Sequence, residues 1–307
     1  MPKIDFGYNP PVGDRGVEKF DPATYIPDLE RVLDVAQDHF SSFWVSDHLF
    51  TGNGFRMECW TILTWLAARY PKQTLSTIVM ANSYRHPPLL AKMAATLQQL
   101  SGGRFVLGYG AGWMDHEYRA YGYEFPTAKV RIEQMVEGIQ IMKAMWAGGP
   151  ASFEGTYYQI EDAICDPYPT PPPPILIGGD GERYLLRAVA EYGDWGLPFG
   201  RSPEVLRQKI AVLKDHCTAV GRDYDEIRKT FTLKVYLGKT KAEAEQLAGG
   251  QPLRPEDPSF VGEPAALVEY LQEYTELGVD LFQLVFPKFP ATDDIELFAR
   301  EVLPKFR

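Results

Sequence analysis

The chain has 307 residues, of which 45% are hydrophobic, 13% aromatic and 23% charged, which is enough apolar material for a sizeable core. Its formal net charge of -10 argues against a general nucleic-acid or membrane-surface role, because both need basic patches. It leaves room for an anionic small molecule held locally by backbone N–H groups. No run reaches the ~18 apolar residues of a membrane span, and Met1-Pro2-Lys3-Ile4-Asp5-Phe6 enters a strand pattern without an apolar signal segment. A cytoplasmic protein is expected, with no nucleic-acid or membrane partner. Cys59, Cys165 and Cys217 lie far apart with no metal or redox spacing, and read as small buried hydrophobes in a reducing compartment.

Taken in order, Ile4 to Tyr8 alternates apolar and polar residues as a first strand would. Asp21-Pro22 opens a helix with a cap and a first-turn proline, and Ile26, Leu29, Leu33 and Ala36 keep helical spacing. Phe43-Trp44-Val45-Ser46-Asp47-His48 is a buried-type strand that runs into a carboxylate and an imidazole. Those two residues fall at the C-terminal end of the strand, where parallel α/β sheets and barrels carry their chemistry. His exchanges protons near neutrality, so His48 is the candidate acid–base group.

A glycine-punctuated loop at Thr51-Gly52-Asn53-Gly54 precedes an apolar helix from Cys59 to Tyr70. Thr74 to Met80 is a third strand. Leu89 to Leu100 is a helix started by Pro87-Pro88 and ended by Ser101-Gly102-Gly103. Arg104 to Leu107 is a fourth strand running into Gly108-Tyr109-Gly110-Ala111-Gly112, whose alternating glycines can admit a flat ligand or a phosphate to the backbone. Trp113 to Phe125 lacks a clean period and reads as a long loop over the mouth of a barrel. Thr127 to Trp146 is helical, with Ile132, Val136, Ile139, Met142 and Met145 near one face. Ala151 to Pro174 reads as a Tyr- and Pro-rich insertion.

Ile175-Leu176-Ile177 is a strand followed by Gly178-Gly179-Asp180-Gly181 and a helix from Glu182 to Tyr192. A glycine-rich turn at a helix N-terminus presents unpaired N–H groups, a phosphate site by mechanism, although a plain tight turn fits the segment equally well. Asp194 to Leu197, Lys229 to Leu237 and Asp280 to Phe286 supply strands six to eight. Helices follow them from Ser202, from Thr240 to Ala248, from Pro264 to Leu277 and from Thr292 to Leu303, with a polar loop over Gly249 to Gly262. Eight strands, each followed by helical pattern, predict a single α/β domain over residues 1–307. The fold expected is a (β/α)8 TIM barrel with insertions at its C-terminal face.

Five stretches in register resemble the bacterial luciferase-like superfamily of flavin and deazaflavin oxidoreductases. They are Trp44-Val45-Ser46-Asp47-His48, Asn82-Ser83-Tyr84-Arg85-His86-Pro87, Leu100-Ser101-Gly102-Gly103-Arg104-Phe105, Gly108-Tyr109-Gly110-Ala111-Gly112-Trp113 and Ile177-Gly178-Gly179. The Asp-His pair and the Ser-Gly-Gly-Arg segment look most like the branch that uses coenzyme F420. That resemblance implies a hydride-transferring enzyme in which Asp47 contacts the deazaflavin and His48 works as the acid–base group. It implies a non-prolyl cis peptide at Ile78-Val79 beneath the ring, with Ala81 and Asn82 along the ring edge and Ala111 and Gly112 at its polar end. Gly178, Gly179, Gly181 and Glu182 match the segment that cradles the cofactor phosphate, and a homodimer is the family's habit.

One position departs from the resemblance. Relatives that oxidise a sugar phosphate carry a glutamate just after the fourth-strand glycines, and this chain has Trp113 there. Asp115 and Glu117 lie close by, and the sequence does not choose between them. Trp113, Trp44, Trp60 and Tyr109 suggest a flat, apolar substrate cavity. The competing readings are an FMN-dependent monooxygenase on the same fold, a non-catalytic flavin- or deazaflavin-binding protein, and a metal-dependent hydrolase on Asp47, His48 and His86. The last lacks a ligand set at recognisable spacing, so no metal is expected.

Overall fold

The computed structural model describes residues 3–13, 20–51, 54–197, 202–249 and 259–307. The expectations for Met1-Pro2, for Gly52-Asn53 and for most of the 249–262 loop fall outside these residues. In chain order the first half runs β1 (Asp5–Tyr8), α1 (Tyr25–Ala36), β2 (Ser42–Val45), α2 (Cys59–Arg69), β3 (Thr74–Thr77), β4 (Met80–Ala81), α3 (Pro87–Leu100), β5 (Phe105–Gly110), α4 (Asp115–Tyr121) and α5 (Ala128–Trp146). It continues with β6 (Pro150–Glu154), β7 (Gln159–Ile164), β8 (Ile175–Gly178), α6 (Leu185–Tyr192), β9 (Trp195–Leu197), α7 (Pro203–Val220), β10 (Arg228–Leu237), α8 (Lys241–Leu247), β11 (Ser259–Gly262), α9 (Pro264–Glu276), β12 (Leu281–Val285) and α10 (Asp293–Glu301).

The strands pair in parallel in the order β12, β1, β2, β3, β5, β8, β9, β10, with β4 continuing β3 alongside β5. Closure comes from β10, which pairs with β9 (Arg228 opposite Trp195) and with β12 (Thr230 opposite Leu281). Eight closed parallel strands with outer helices are a (β/α)8 barrel, as the alternation of strand and helix patterns predicts.

Alternation along each strand sorts the core into two parts. Phe43 and Val45 on β2 face outward into the large apolar layer between strands and helices. Trp44, between them, faces the barrel axis and packs with Val106, Leu176 and Leu281, against Ile78, Val79 and Trp195. Burying each such side chain contributes roughly 1.5–3 kcal/mol. Arg104, of the Ser-Gly-Gly-Arg stretch, is a staple at the opposite end from the site. Its guanidinium donates to the carbonyls of Ala67 (3.1 Å), Tyr70 (3.1 Å) and Gln73, and to that of Ser101 (2.7 Å), so it closes the last turn of α2 onto the end of α3.

Several local expectations are corrected. The first helix starts at Tyr25; Asp21 instead accepts the Ala23 N–H in a preceding turn at 2.9 Å. The expected third strand breaks into β3 and β4 around a cis Ile78-Val79 peptide. The segment expected as a loop from Trp113 to Phe125 contains α4, which Gly122 ends with a left-handed φ of 74°. The insertion after Ala151 contains an antiparallel hairpin, β6–β7. That hairpin grows from the connection between α5 and β8, so of the two insertions only the α4 segment arises at the C-terminal face. Gln140 and Glu137 tie α5 to its neighbours, the latter accepting the Thr156, Tyr157 and Tyr158 N–H groups at the hairpin tip (2.7–3.0 Å). The helix expected from Glu182 begins at Leu185, and the end of the expected 249–262 loop is β11, paired in parallel with β10. The three cysteines are buried free thiols. No helix among the described residues is long and apolar enough to cross a membrane.

Candidate active site at the mouth of the barrel

The C-terminal ends of β2, β4, β5 and β8, with α4 and the start of α5, surround a cavity of about 840 Å³, within the range that holds a cofactor or drug-sized ligand. Its wall includes Asp47, His48, Ile78, Val79, Ala81, Ala111, Gly112, Trp113, Gly178 and Gly179, so most of the residues singled out in the sequence converge there. The glycines act partly through a side chain. A Cβ on Gly110 or on Gly178 would come within 2.7 Å of the Val79 Cγ2 atom; both residues are bare so that Val79 can fill the space between β5 and β8. This face of the cavity is therefore built from the Val79 side chain and from glycine backbone of both strands.

His48 sits just past the end of β2. Its Nδ1 lies 2.9 Å from Glu117 Oε2, and its ring stands edge-on to Trp113 with centroids 5.8 Å apart. Glu117 is brought in by α4 and is 1% exposed. Its Oε1 accepts the N–H groups of Leu49 (2.7 Å) and Phe50 (3.1 Å), and Tyr84 Oη donates to Oε2 at 3.2 Å. Burial works to raise the Glu117 pKa, but the hydrogen bond and charge of His48 and the two amides outweigh it and hold the carboxyl below its ordinary value. Asp115, the other candidate, pairs with Arg119 along the exposed side of α4.

Asp47 enters a separate network. Its carboxylate accepts both terminal nitrogens of Arg85 (2.8 and 3.1 Å) and the Ala81 N–H at 3.0 Å. Arg85 also reaches Glu58, the N-cap of α2. Burial opposes the charge on Arg85, but the Asp47 carboxylate prevails and raises the guanidinium pKa. The charge expected to act on His48 is therefore that of Glu117, while Asp47 is occupied in tying β2 to the chain just past the cis peptide.

Arg131 is the only Arg or Lys among the described residues lining the cavity. It is 8% exposed, donates to the carbonyls of Gly112 (3.2 Å) and Pro126, and lies 3.9 Å over the Phe125 ring. No carboxylate among the described residues pairs with it, and burial pushes its pKa down. Periodicity carried a signal for it: Arg131 lies four residues before Met135 on the buried face of α5, where a cation is out of place. The sequence offers Glu117 only alongside Asp115, because α4, the helix that turns one of them inward, has no legible period.

Four expected site residues lie elsewhere. Trp44 is fully buried along the barrel axis, its Nε1 donating to Ser42 Oγ at 2.8 Å, and it does not line the cavity. Asn82 is 1% exposed and spends its amide on Tyr109 and on Tyr158 (3.0 Å), which locks the hairpin to the barrel. The Glu182 carboxylate turns to Lys209 (2.9 Å) and Gln208 (3.0 Å) on α7. Gly181 serves the start of α6, its carbonyl accepting the Leu185 and Leu186 N–H groups at 3.0 Å. Trp60 and Tyr109 also pack in the core rather than on the cavity, Trp60 edge-on to Phe105. Among the described residues no group of three or more His, Cys, Asp or Glu is placed to hold a metal ion.

A model of the luciferase-like monooxygenase family matches residues 15–259, most of the chain. The chain belongs to the luciferase-like monooxygenase family. Among luciferase-like relatives, an F420-dependent glucose-6-phosphate dehydrogenase of Microbacterium testaceum (strain StLB037) is 28% identical over 87% of this chain and 89% of its own length. A pyrimidine monooxygenase, RutA, of Allorhizobium ampelinum (strain ATCC BAA-846 / DSM 112012 / S4) is 31% identical over 60% of this chain and 53% of its own. Two solved structures share the fold over 99% of this chain. One is an F420-dependent secondary alcohol dehydrogenase in complex with an F420-acetone adduct (TM-score 0.84, 20% identity, 99% of that chain). The other is the monooxygenase RslO1 from Streptomyces bottropensis (TM-score 0.85, 21% identity, 100% of that chain).

Proposed function

We propose that this luciferase-like barrel is a coenzyme F420-dependent oxidoreductase that moves a hydride between the deazaflavin and a small, largely apolar organic molecule. The observation that carries the reading is the cavity, in which one buried cation without a carboxylate partner, a wall rich in glycine and a histidine held by a buried glutamate meet at one barrel mouth. An anionic cofactor with a flat ring fits that combination: the backbone of Gly110 to Gly112 and of Gly178 to Gly179 admits the ring, and Arg131 meets negative charge. Ile78, Val79 and Ala81 supply the floor. When bound, the cofactor accepts or gives the hydride. His48 moves the accompanying proton at its ring nitrogen, and Trp113, 70% exposed at the mouth, offers an apolar face to the substrate.

The relatives named for glucose 6-phosphate raise the question of a sugar phosphate. A phosphorylated substrate beside an anionic cofactor needs cations of its own, and the described cavity wall offers Arg131 alone, so a neutral alcohol or carbonyl compound is the better fit. A second reading, an FMN-dependent monooxygenase, is favoured by the likeness to RslO1 and RutA. A homodimer and a cytoplasmic location complete the proposal, the first checked by light scattering.

The deciding experiment titrates cofactor-free protein with F420 and, separately, with FMN, following fluorescence. F420 is expected to bind at least about tenfold tighter, a difference of ~1.4 kcal/mol. The reverse preference would transfer the assignment to the flavin monooxygenase.

A further inference from the structure

Beyond the proton role of His48, on which the following rests, the geometry fixes which nitrogen does the work. An ionised carboxylate only accepts hydrogen bonds, so a neutral imidazole whose Nδ1 lies 2.9 Å from Glu117 Oε2 must carry its proton on Nδ1. Nε2 is then the lone-pair nitrogen, and it has no hydrogen-bond partner among the described residues. The rest of the imidazole is restrained: Trp113 stands edge-on to the ring, and Arg56 Nε donates to the His48 carbonyl at 2.9 Å. Glu117 is equally fixed, because the Leu49 and Phe50 amides take one oxygen while His48 and Tyr84 share the other.

We propose that Glu117 is a positioning residue that holds His48 in its Nδ1–H tautomer, so that Nε2 faces the cavity as a proton acceptor, with Tyr84 steadying the carboxylate. A site set this way suits oxidation of a carbinol. The C–H bond at the carbinol carbon gives its electron pair and hydrogen to F420 as hydride, and the hydroxyl proton passes to Nε2. A carbonyl product, reduced cofactor and an imidazolium stabilised by Glu117 remain. In the reverse direction the same imidazolium returns the proton to a carbonyl oxygen. Its general class is the two-residue arrangement in which a buried carboxylate orients a catalytic imidazole.

Glu117→Gln tests this with little change of shape. The two backbone amides require the amide oxygen where Oε1 now sits, so the NH2 group must face Nδ1 and turn it into an acceptor. In the full-length protein, nitrogen-15 NMR of labelled histidine is expected to show Nδ1–H for His48 in the wild type and Nε2–H in E117Q. The resonance is assigned by its loss in His48→Gln. F420 affinity of E117Q should stay within about threefold of wild type, and Tyr84→Phe, which keeps the carboxylate, should retain the wild-type tautomer. An Nε2–H tautomer in the wild type would overturn the proposal even if E117Q failed to fold, and so would an unchanged tautomer in a folded E117Q. Because the tautomer is read without cofactor, this result stands apart from the F420 titration: weak F420 binding would sink the functional reading and leave the tautomer assignment untouched.

Discussion

The two ends of the barrel treat a half-buried or buried arginine in opposite ways. At the N-terminal end, Arg228 donates to Asp280 (2.8 Å) and Asp5 (2.6 Å) and lies over the Trp195 ring, so strands β10, β12 and β1 are pinned together by a closed set of charges. Burial works against its charge, yet the two carboxylates raise its pKa. At the C-terminal end, Arg131 is more deeply buried and has only carbonyls and a ring about it. Burial pushes its pKa down. A charge network that is complete within the protein serves stability; a charge left open toward a cavity is available to a ligand of opposite sign. The Asp47–Arg85–Glu58 network shows that the mouth is able to neutralise a cation when the fold requires it, which makes the isolation of Arg131 more telling.

Exchanging each arginine for a neutral residue should separate these roles. Arg131→Met is expected to weaken F420 binding by about 10–100-fold, or ~1.4–2.8 kcal/mol, with a thermal midpoint close to that of the wild type. A fall in midpoint with unchanged affinity would mean that both arginines are structural. Arg228→Met should do the reverse, leaving affinity within about twofold and lowering stability in urea by about 1–3 kcal/mol, since breaking a partly buried pair strands two carboxylates.

The smallest effect concerns a carboxyl on the mouth side. Asp294, in the first turn of α10, is 2% exposed, and burial raises its pKa to about 6 despite the Ile295 and Lys288 N–H groups it accepts. The folded state then holds this proton more tightly than the unfolded chain, whose aspartate titrates near 4. The contribution of Asp294 to stability therefore falls as pH rises from about 4 to 6. Asp294→Asn should stabilise the protein at pH 8 by about 1–2 kcal/mol and give no gain at pH 4. Glu117 titrates with the opposite sign: its lowered pKa contributes stability at neutral pH that is lost as pH falls below the ordinary glutamate range. A gain in D294N that did not depend on pH would point to a packing effect instead of a charge.

Much of the barrel is legible because each βα unit declares itself locally. Strands such as Thr74–Thr77 and Ile175–Gly178 carry β-branched residues in short buried segments, and helices such as Pro203–Val220 carry their own cap, Ser202, whose Oγ accepts the Val205 N–H. The cis peptide at Ile78-Val79 is found where the family resemblance puts it. Legibility fails where neighbours far along the chain decide. The hairpin β6–β7 is mostly exposed, and its alternation is brief and interrupted by a register shift between Ala151 and Phe153, while α4 has only seven residues and a mixture of aromatic and charged side chains. Trp44 illustrates the same limit: an aromatic next to Asp47-His48 invites a role in the pocket, yet its place in the alternation of β2 points it to the barrel axis, where Trp195 and Leu176 enclose it.

By itself the sequence determined the order of the eight barrel strands and of the outer helices between them, hence the closed barrel and the strand end at which Asp47 and His48 emerge, because hydrophobic period and capping are properties of neighbouring residues. Only the tertiary structure decided the partners of those two residues. Asp47 and His48 adjoin in the chain but point into different networks, one closed by Arg85 and the other by Glu117, which is 69 residues away from His48. Hydrogen bonding and desolvation depend on distance in space, and the distance between β2 and α4 is set by the packing of the whole mouth.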